Sequence, residues 1–578
     1  MRRRINQKKH MDACRRYLSQ LASRTPSVFP DISVQLDYFS AMAARSAIAP
    51  ARWRRPFLKW LDGIEQGWGI PLLIVAFTAA WLLFLTIAYL SGDLHADALE
   101  TWTIGREFAW GNAKHPPLMG WAAWGWTLVF PLTDWSFQLL SMTNAAVALW
   151  AVDLIARRFV RGDARAVVLL LLMLLPAYQF HAQRFNANTV LLAVWPLATY
   201  CFLRSYESRA IGWAIAAGVF GALAMLGKYY SVFLIGSFLL AAIAHPQRAL
   251  YFSSWAPWAS ALAGLIVLGP HIHWLATSGA APFAYAMQVH GGVPFGPSFL
   301  EAGAFLLGLA ATVALPAFVW MLSAGRRLSL FGADFRAMNP WFQLLFWIFV
   351  GTVALPTLVA IVVGTDMPSL WALQGLFLLA ILVVCGASYT LERLYVVNLA
   401  VMVGAIAAVA IVVAAPIHAY YRNNINPNER SYYRLAAFEL TKRWHAISDR
   451  PMPAISGDDG LAFATAFYSP DHPVYRRPFQ YQYTWGMPRV TTLEKGWAAM
   501  CFAADQTCRD WMDKVVAIAP EFTRADFEVT PYLWGRAGPP GRLIALMVPP
   551  RDDQPVATQA PSTAASADFS SSHRQPAP

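Results

Sequence analysis

Eleven apolar runs limit what this chain can fold into: 69–91, 135–156, 164–181, 187–203, 210–227, 229–245, 254–273, 299–322, 341–364, 367–388 and 394–416. A helix of about 20 apolar residues crosses a hydrocarbon core of ~30 Å, and a chain that supplies many such runs is a polytopic membrane protein. The segment 117–131 is also apolar, but it is short and flanked by prolines, so it reads as re-entrant or interfacial. With 57% hydrophobic residues over 578 positions, a soluble class is excluded. The 25 tryptophans suit headgroup belts and also sugar or lipid grooves.

The net charge of +12 raises nucleic acid as a partner, but its distribution argues against one. Residues 1–66 carry 13 Lys or Arg against 5 Asp or Glu, ahead of the first apolar run. That is the composition of a cytoplasmic extension facing anionic lipid. No cleavable signal peptide is expected, because apolar sequence begins only near residue 69. With the N-terminus inside, the short inner loops hold Arg157, Arg158, Arg161, Arg165, Arg204, Arg209, Arg248, Arg326, Arg327, Arg336 and Arg393. The outer loops between spans hold Arg106, Lys114, Arg184 and Lys228. The reverse topology would invert the positive-inside bias. An odd number of spans then places the C-terminal part outside.

The expected fold is mainly α, with about 11 transmembrane helices and a small C-terminal α/β extracytoplasmic domain. Four regions follow: a basic extension 1–66, a transmembrane catalytic domain 67–416 with its first outer loop at 92–134, an outer α/β domain 417–550, and a disordered tail 551–578. "MPAISGDDGLAFATAFY" and "RLIALMVPP" read as strands and helices of the outer domain, while the tail is rich in Pro, Ser, Ala and Gln. Cys501 and Cys508 both fall outside, where an oxidising compartment permits a disulfide; two free buried thiols are the alternative.

The first outer loop, "DALETWTIGREFAWGNAKHPP" at 97–117, is unusually charged for a chain with 13% charged residues. On a helix, Asp97, Glu100 and Glu107 fall near one face, since separations of three and seven are close to whole turns. A carboxylate there can act as a general base toward a hydroxyl. Lys228, with Arg184 or Arg106, can neutralise a phosphate, while plain snorkelling or ion pairing is the competing explanation. Tyr229 and Trp274 are candidates for a sugar or prenyl groove, against ordinary packing. His95, His115, His271, His273 and His290 cluster near the outer side, and His115 with Glu100 or Asp97 leaves room for a divalent metal. Asp458 and Asp459 fit either a ligand contact or a polar turn before a helix.

These residues resemble bacterial members of glycosyltransferase family 39, membrane mannosyltransferase-like proteins of the GT-C fold that include lipid A aminoarabinose transferases and rhizobial galacturonosyltransferases of lipopolysaccharide core. Asp97 falls where that family has its catalytic Asp, Trp102 on an aromatic stretch, Trp110–Gly111 on its Trp/Leu-Gly pair and His115–Pro116–Pro117 on the loop's ending. "QRFNANTVLLAVWPLATYCFLR", "GALAMLGKYYSVFL" and "GPHIHWLATSGAAPFAYAMQVH" resemble later segments in order, so the resemblance spans about residues 70–300. The chain departs from the pattern at Ala98, where Glu is frequent, at Lys114, which replaces an acid, and at Asn188, which stands for a second Asp. The last two changes remove negative charge and argue against a two-carboxylate metal site.

The resemblance implies transfer of a monosaccharide from a polyprenyl-phosphate donor to an acceptor hydroxyl at the outer face of a bacterial inner membrane. The acceptor class would be lipopolysaccharide, another polysaccharide, a glycolipid or a protein, and Asn188 and His115 would face the substrate groove. Two rival functions fit a polytopic chain: a lipid-linked-sugar transporter or flippase, and a non-catalytic membrane scaffold. A transporter would place charges or broken helices at mid-depth. Here Asp153 is the main such residue, and Arg157 can pair with it.

Overall fold

The computed structural model describes residues 52–551 apart from 113, 281, 284–286, 288–289, 325–339, 386–391, 477–486 and 520. Most of the basic extension, with Cys14, lies outside the described residues, as do Arg326, Arg327, Arg336 and the tail after Arg551. The chain divides into two compact units, Met1–Gly69 and Ile70–Pro578. In the first, helix α1 (Arg55–Glu65) buries Trp60, Leu61 and Ile64, a three-to-four-residue spacing that gives one apolar face. The Trp60 indole donates to the Gly69 carbonyl at 2.7 Å.

The second unit is a helical assembly with a small sheet. Its helices are α2 (Gly69–Ala88), α3 (Ala96–Gly105), α4 (Leu118–Thr127), α5 (Asp134–Ala156), α6 (Asp163–Met173), α7 (Val190–Ser208), α8 (Ile211–Gly227) and α9 (Val232–Ala244). They continue as α10 (Ala256–Thr277), α11 (Phe295–Ala324), α12 (Pro340–Val363), α13 (Phe377–Cys385) and α14 (Arg393–Val413). Among the described residues, six helices are long and apolar enough to cross a membrane: α2, α5, α10, α11, α12, and α14 with its continuation to Asn424. Helix α6 and the segment 176–183, bent by 77°, make a seventh if counted as one span.

Length and composition therefore do not confirm eleven spans. The expected runs do fall on helical structure, but α8 has 17 residues, α9 has 13, and the run at 367–388 breaks into a tight turn of helix at Ser369–Gly375 and then the nine residues of α13. Hydropathy registers apolar residues but not continuity of the helix that carries them. At ten residues, α4 extends about 15 Å and is too short to span, as the proline-flanked segment suggested.

Small residues allow close helix crossings. A Cβ on Gly218 of α8 would collide with the Ser260 carbonyl of α10, and the Ser260 hydroxyl donates to the Ala214 carbonyl at 2.7 Å. Such contacts let backbones approach where burial from water supplies no drive. Buried Asp153 receives Arg157 at 2.8 Å and Arg165 at 2.7 Å, so the one acid deep in α5 is neutralised by two cations.

The C-terminal part forms a mixed five-stranded sheet. Its strands are β1 (Ala454–Gly457), β2 (Val474–Tyr475), β3 (Trp497–Phe502), β4 (Thr523–Val529) and β7 (Gly541–Val548), in the order β2-β1-β3-β7-β4. A separate hairpin pairs β5 (Tyr532–Leu533) with β6 (Arg536–Ala537). Strands β2 and β3 run parallel to β1, and β7 is antiparallel to β3 and β4. Alternate residues Trp497, Ala499 and Cys501 meet Trp511, Met512 and Val515 of helix α17 (Gln506–Val516). The helices α15 (Tyr433–Trp444) and α16 (Asp459–Tyr468) contact the sheet as well, and α16 also packs on α3. Cys501 and Cys508 are joined as a disulfide between β3 and α17. Asp458 accepts from the Leu461 amide as the N-cap of α16, so its turn does the capping work expected of such a sequence.

Candidate active site

The position of α3 decides the site. His95 caps it, with Nδ1 accepting from the Asp97 amide at 3.2 Å. One side of α3 meets α4 so closely that a Cβ on Gly105 would run into the Gly120 carbonyl. Another meets α16, where Trp102 packs edge-on to Phe467 with centroids 5.6 Å apart. Held between these helices, α3 has a fixed orientation, and so do its acids.

Asp97 keeps 42% of its side chain accessible and receives the Asn186 amide at 3.0 Å. Burial alone would push its carboxyl up. The His95 ring 3.6 Å away, the Asn186 hydrogen bond and the charge of Arg184 outweigh burial and hold it at about 2. The His95 Nδ1 accepts from the backbone in the tautomer that carries its proton on Nε2 and faces the carboxylate as a donor in the other, so its two contacts belong to different tautomers. Glu100, by contrast, is enclosed and taken: Lys114 Nζ lies 2.8 Å from it. Burial nevertheless pushes the Glu100 carboxyl up, against the opposing pull of Lys114.

Lys228 follows directly on α8. Its ammonium donates to Asn188 Oδ1 at 2.6 Å and stands 3.8 Å from the centroid of the Trp371 ring. No carboxylate pairs with it among the described residues. His115 lies within electrostatic reach of Lys114, Lys228 and Asp97; burial, then the two ammonium groups, drive its imidazole down to about 3, so it is neutral.

One turn connects the two charges. Asn186 Oδ1 accepts from the amides of Asn188 at 2.9 Å and Thr189 at 3.0 Å, while its Nδ2 serves Asp97. Asn188 in turn serves Lys228. Beside this pair, the Tyr229 hydroxyl contacts His271 Nε2 at 2.8 Å, and His271 Nδ1 contacts the Trp110 carbonyl at 2.6 Å. Trp274 stacks on His271 and presses so near Gly111 that a Cβ there would strike its indole. Tyr229 and Trp274 thus brace the first loop against α10.

The remaining candidates are dispersed. Helix α3 ends at Gly105, so Glu107 lies beyond it and is exposed, off the face expected to carry three acids. Arg106 turns to the sheet-bearing part, donating to the carbonyls of His472 at 2.6 Å and Pro473 at 3.1 Å. Arg184 lines a different cleft, with Arg422 and Arg430. His290 pairs with Asp366 at 2.6 Å. Among the described residues no group of three His, Cys, Asp or Glu side chains converges as a ligand set, and the cations around His115 and Glu100 oppose one there.

Sequence reading missed Asn186, Trp371, Arg422 and Arg430. "NANT" is an Asx-turn signature that could have flagged Asn186. Extending the count of outer cations past the last apolar run would have found Arg422 and Arg430. Trp371 carried no signal.

Residues 114–274 match the family described as dolichyl-phosphate-mannose-protein mannosyltransferase. No curated protein matches the sequence. Among solved structures, ArnT from Cupriavidus metallidurans bound to undecaprenyl phosphate has a TM-score of 0.52 and 13% identity, over 83% of this chain and 98% of that one. Its apo form has a TM-score of 0.50 and 14% identity over the same shares. The matched stretch runs from α4 to α10 and contains both Asn186 and Lys228, and the resemblance read from the sequence agrees with it: the chain has the GT-C fold of the membrane mannosyltransferase-like proteins.

Proposed function

We propose that this protein is a membrane glycosyltransferase that moves a monosaccharide from a polyprenyl-phosphate donor to a hydroxyl of a cell-envelope acceptor. The observation that carries this reading is the 186–188 turn, which holds a carboxylate at one end and, at the other, an ammonium that has no acid partner among the described residues. The acceptor oxygen attacks the anomeric carbon with inversion, the bond from that carbon to the phosphate oxygen breaks, and the electron pair leaves with polyprenyl phosphate. Lys228 offsets the charge growing on that phosphate in a site of low dielectric. Asp97 takes the hydroxyl proton. With a pKa of about 2 it is a weak base, so transfer occurs late, once the forming bond has made the attacking hydroxyl strongly acidic.

The donor class is supported by the undecaprenyl phosphate bound in the ArnT of like fold. The Cys501–Cys508 disulfide supports an oxidising compartment for the sheet-bearing part, hence a periplasmic C-terminus on a bacterial inner-membrane protein. The test is label transfer from a radiolabelled polyprenyl-phosphate sugar pool in membranes of the native host, with wild type or Asp97→Asn at equal abundance. Transfer that collapses in the variant supports the assignment and identifies the acceptor. Equal transfer by both removes Asp97 from the chemistry.

A further inference from the structure

We propose that the β5–β6 hairpin is a membrane anchor: Tyr532 and Trp534 seat in the lipid headgroup layer and hold the sheet-bearing part against the bilayer. None of its residues belongs to the candidate active site. The hairpin pairs Tyr532 with Ala537 and Leu533 with Arg536, so Trp534 and Gly535 form a two-residue turn. Both have positive φ, 52° and 78°. Such a turn favours Asn-Gly; glycine adopts the conformation freely, whereas a bulky residue is strained there. Packing within the chain offsets little of that strain, since Trp534 is 65% exposed. Side chains alternate along β5: Leu533 is buried, while Tyr532, 67% exposed, and Trp534 stand on the other face. Two large rings therefore face away from the core, one of them at a strained position, and what they contact lies outside the chain.

The last long apolar helix sets the depth of the hairpin. Helix α14 begins at Arg393, which pairs with Asp163, and its charge belongs at headgroup level rather than in hydrocarbon. At ~1.5 Å per residue, the rise from Arg393 to Tyr420 on the helix's continuation is about 40 Å. A bilayer with its headgroups measures ~40–45 Å, so Tyr420 falls in the opposite headgroup layer. The Trp534 ring stacks on Tyr420 with centroids 6.4 Å apart, and Arg536 donates to the Tyr420 hydroxyl at 2.7 Å. At the base of the hairpin, a Cβ on Gly538 would strike the Asn423 carbonyl. The hairpin is thereby fixed at the depth of Tyr420. The cleft that Tyr532 lines is also lined by Leu90, just past α2, and by Trp135, at the start of α5, so two further helix ends mark the same level. Trp and Tyr, apolar in body and polar at one edge, favour this layer, and Arg536 brings a guanidinium to lipid phosphates.

The experiment replaces Tyr532, Leu533 or Trp534, one at a time, with the photocrosslinker benzoylphenylalanine in the full chain. Each protein is irradiated in membranes of the native host and in vesicles of phosphatidylethanolamine and phosphatidylglycerol, and its adducts are identified by mass spectrometry. Positions 532 and 534 should yield phospholipid adducts in both settings, while position 533 should yield adducts within the chain. Trp534→Asn gives the turn its preferred Asn-Gly pair and so keeps the hairpin while deleting the ring; phospholipid adducts from position 532 should then fall severalfold. If the crosslinker at 534 disturbs the turn, position 532 decides, with and without Trp534→Asn. Adducts from 532 and 534 with a second copy of the chain or with another protein, and none with lipid, overturn the proposal in favour of a protein interface. No adducts from either position mean that the rings face water and overturn it too. Equal phospholipid adducts from all three positions mean that the hairpin has no fixed face, and adducts from 532 that ignore Trp534→Asn remove Trp534 from the contact; either result overturns the anchor.

Discussion

Asn186 and Asn188, two residues apart on one turn, face opposite charges: Nδ2 of the first donates to Asp97 at 3.0 Å, and Oδ1 of the second accepts from Lys228 at 2.6 Å. The amide orientations follow from chemistry, because a carboxylate only accepts and an ammonium only donates. The two positions should therefore separate kinetically. Asn186→Ala frees Asp97, and kcat should fall about tenfold or more with donor KM little changed; Asn188→Ala frees Lys228, and donor KM should rise. Steady-state kinetics with varied donor check this, and identical KM and kcat patterns for the two variants would remove their separate positioning roles.

The three acids of the first loop occupy unlike environments and should respond unlike one another. Asp97→Asn removes the proton acceptor, with an expected loss of about 10²- to 10⁴-fold in transfer. Glu100→Gln removes the buried carboxylate 2.8 Å from Lys114, so a fall in thermal stability should accompany any loss of rate. Glu107→Gln, on an exposed residue past the helix end, should leave both unchanged. Transfer rates and melting temperatures of the three variants, measured side by side, distinguish them; a large effect at Glu107 would mean that the loop closes differently when substrate is bound.

His115 makes a prediction about acid. Its folded pKa is depressed from 6.5 to about 3, so the unfolded chain binds a proton between these values and the folded chain does not. Its contribution to stability is thus complete above pH 6.5 and declines as pH falls toward 3. Melting temperatures taken near neutrality and again about two units lower should drop more for wild type than for His115→Gln. Equal drops would mean that the imidazole is protonated in the folded protein.

The helical class, the presence of a sheet-bearing C-terminal part and the charged first loop were legible in the sequence, because apolar run length and charge placement report them directly. Asp97, His115 and Lys228 could be singled out in the sequence too, as polar groups set between apolar runs. What escaped were relationships that depend on where a helix stops and on which distant elements meet it. Glu107 shared a face with Asp97 only if α3 continued, and it ends at Gly105. Arg106 looked like a phosphate ligand until His472 and Pro473, more than 360 residues later, supplied carbonyls to it. Trp371 reaches Lys228 from a segment that hydropathy reads as part of a span.

Gly105 tests whether the α3–α4 contact governs the site. Alanine at a helical glycine is favoured locally by about 1 kcal/mol, so propensity alone predicts that Gly105→Ala is stabilising. The added Cβ would instead meet the Gly120 carbonyl, which is backbone and cannot rotate away. Overpacking of this kind typically costs about 1–3 kcal/mol, so the clash wins. Gly125→Ala on α4 is the matched control, since a Cβ there has nothing within 4 Å. The melting temperature should fall for Gly105→Ala and hold or rise for Gly125→Ala, and transfer should fall only in the first, where α3 must shift and carry Asp97 away from Asn186. A Gly105→Ala protein with wild-type stability and transfer would show that the two helices tolerate a wider spacing and that Asp97 is positioned by the 186–188 turn alone.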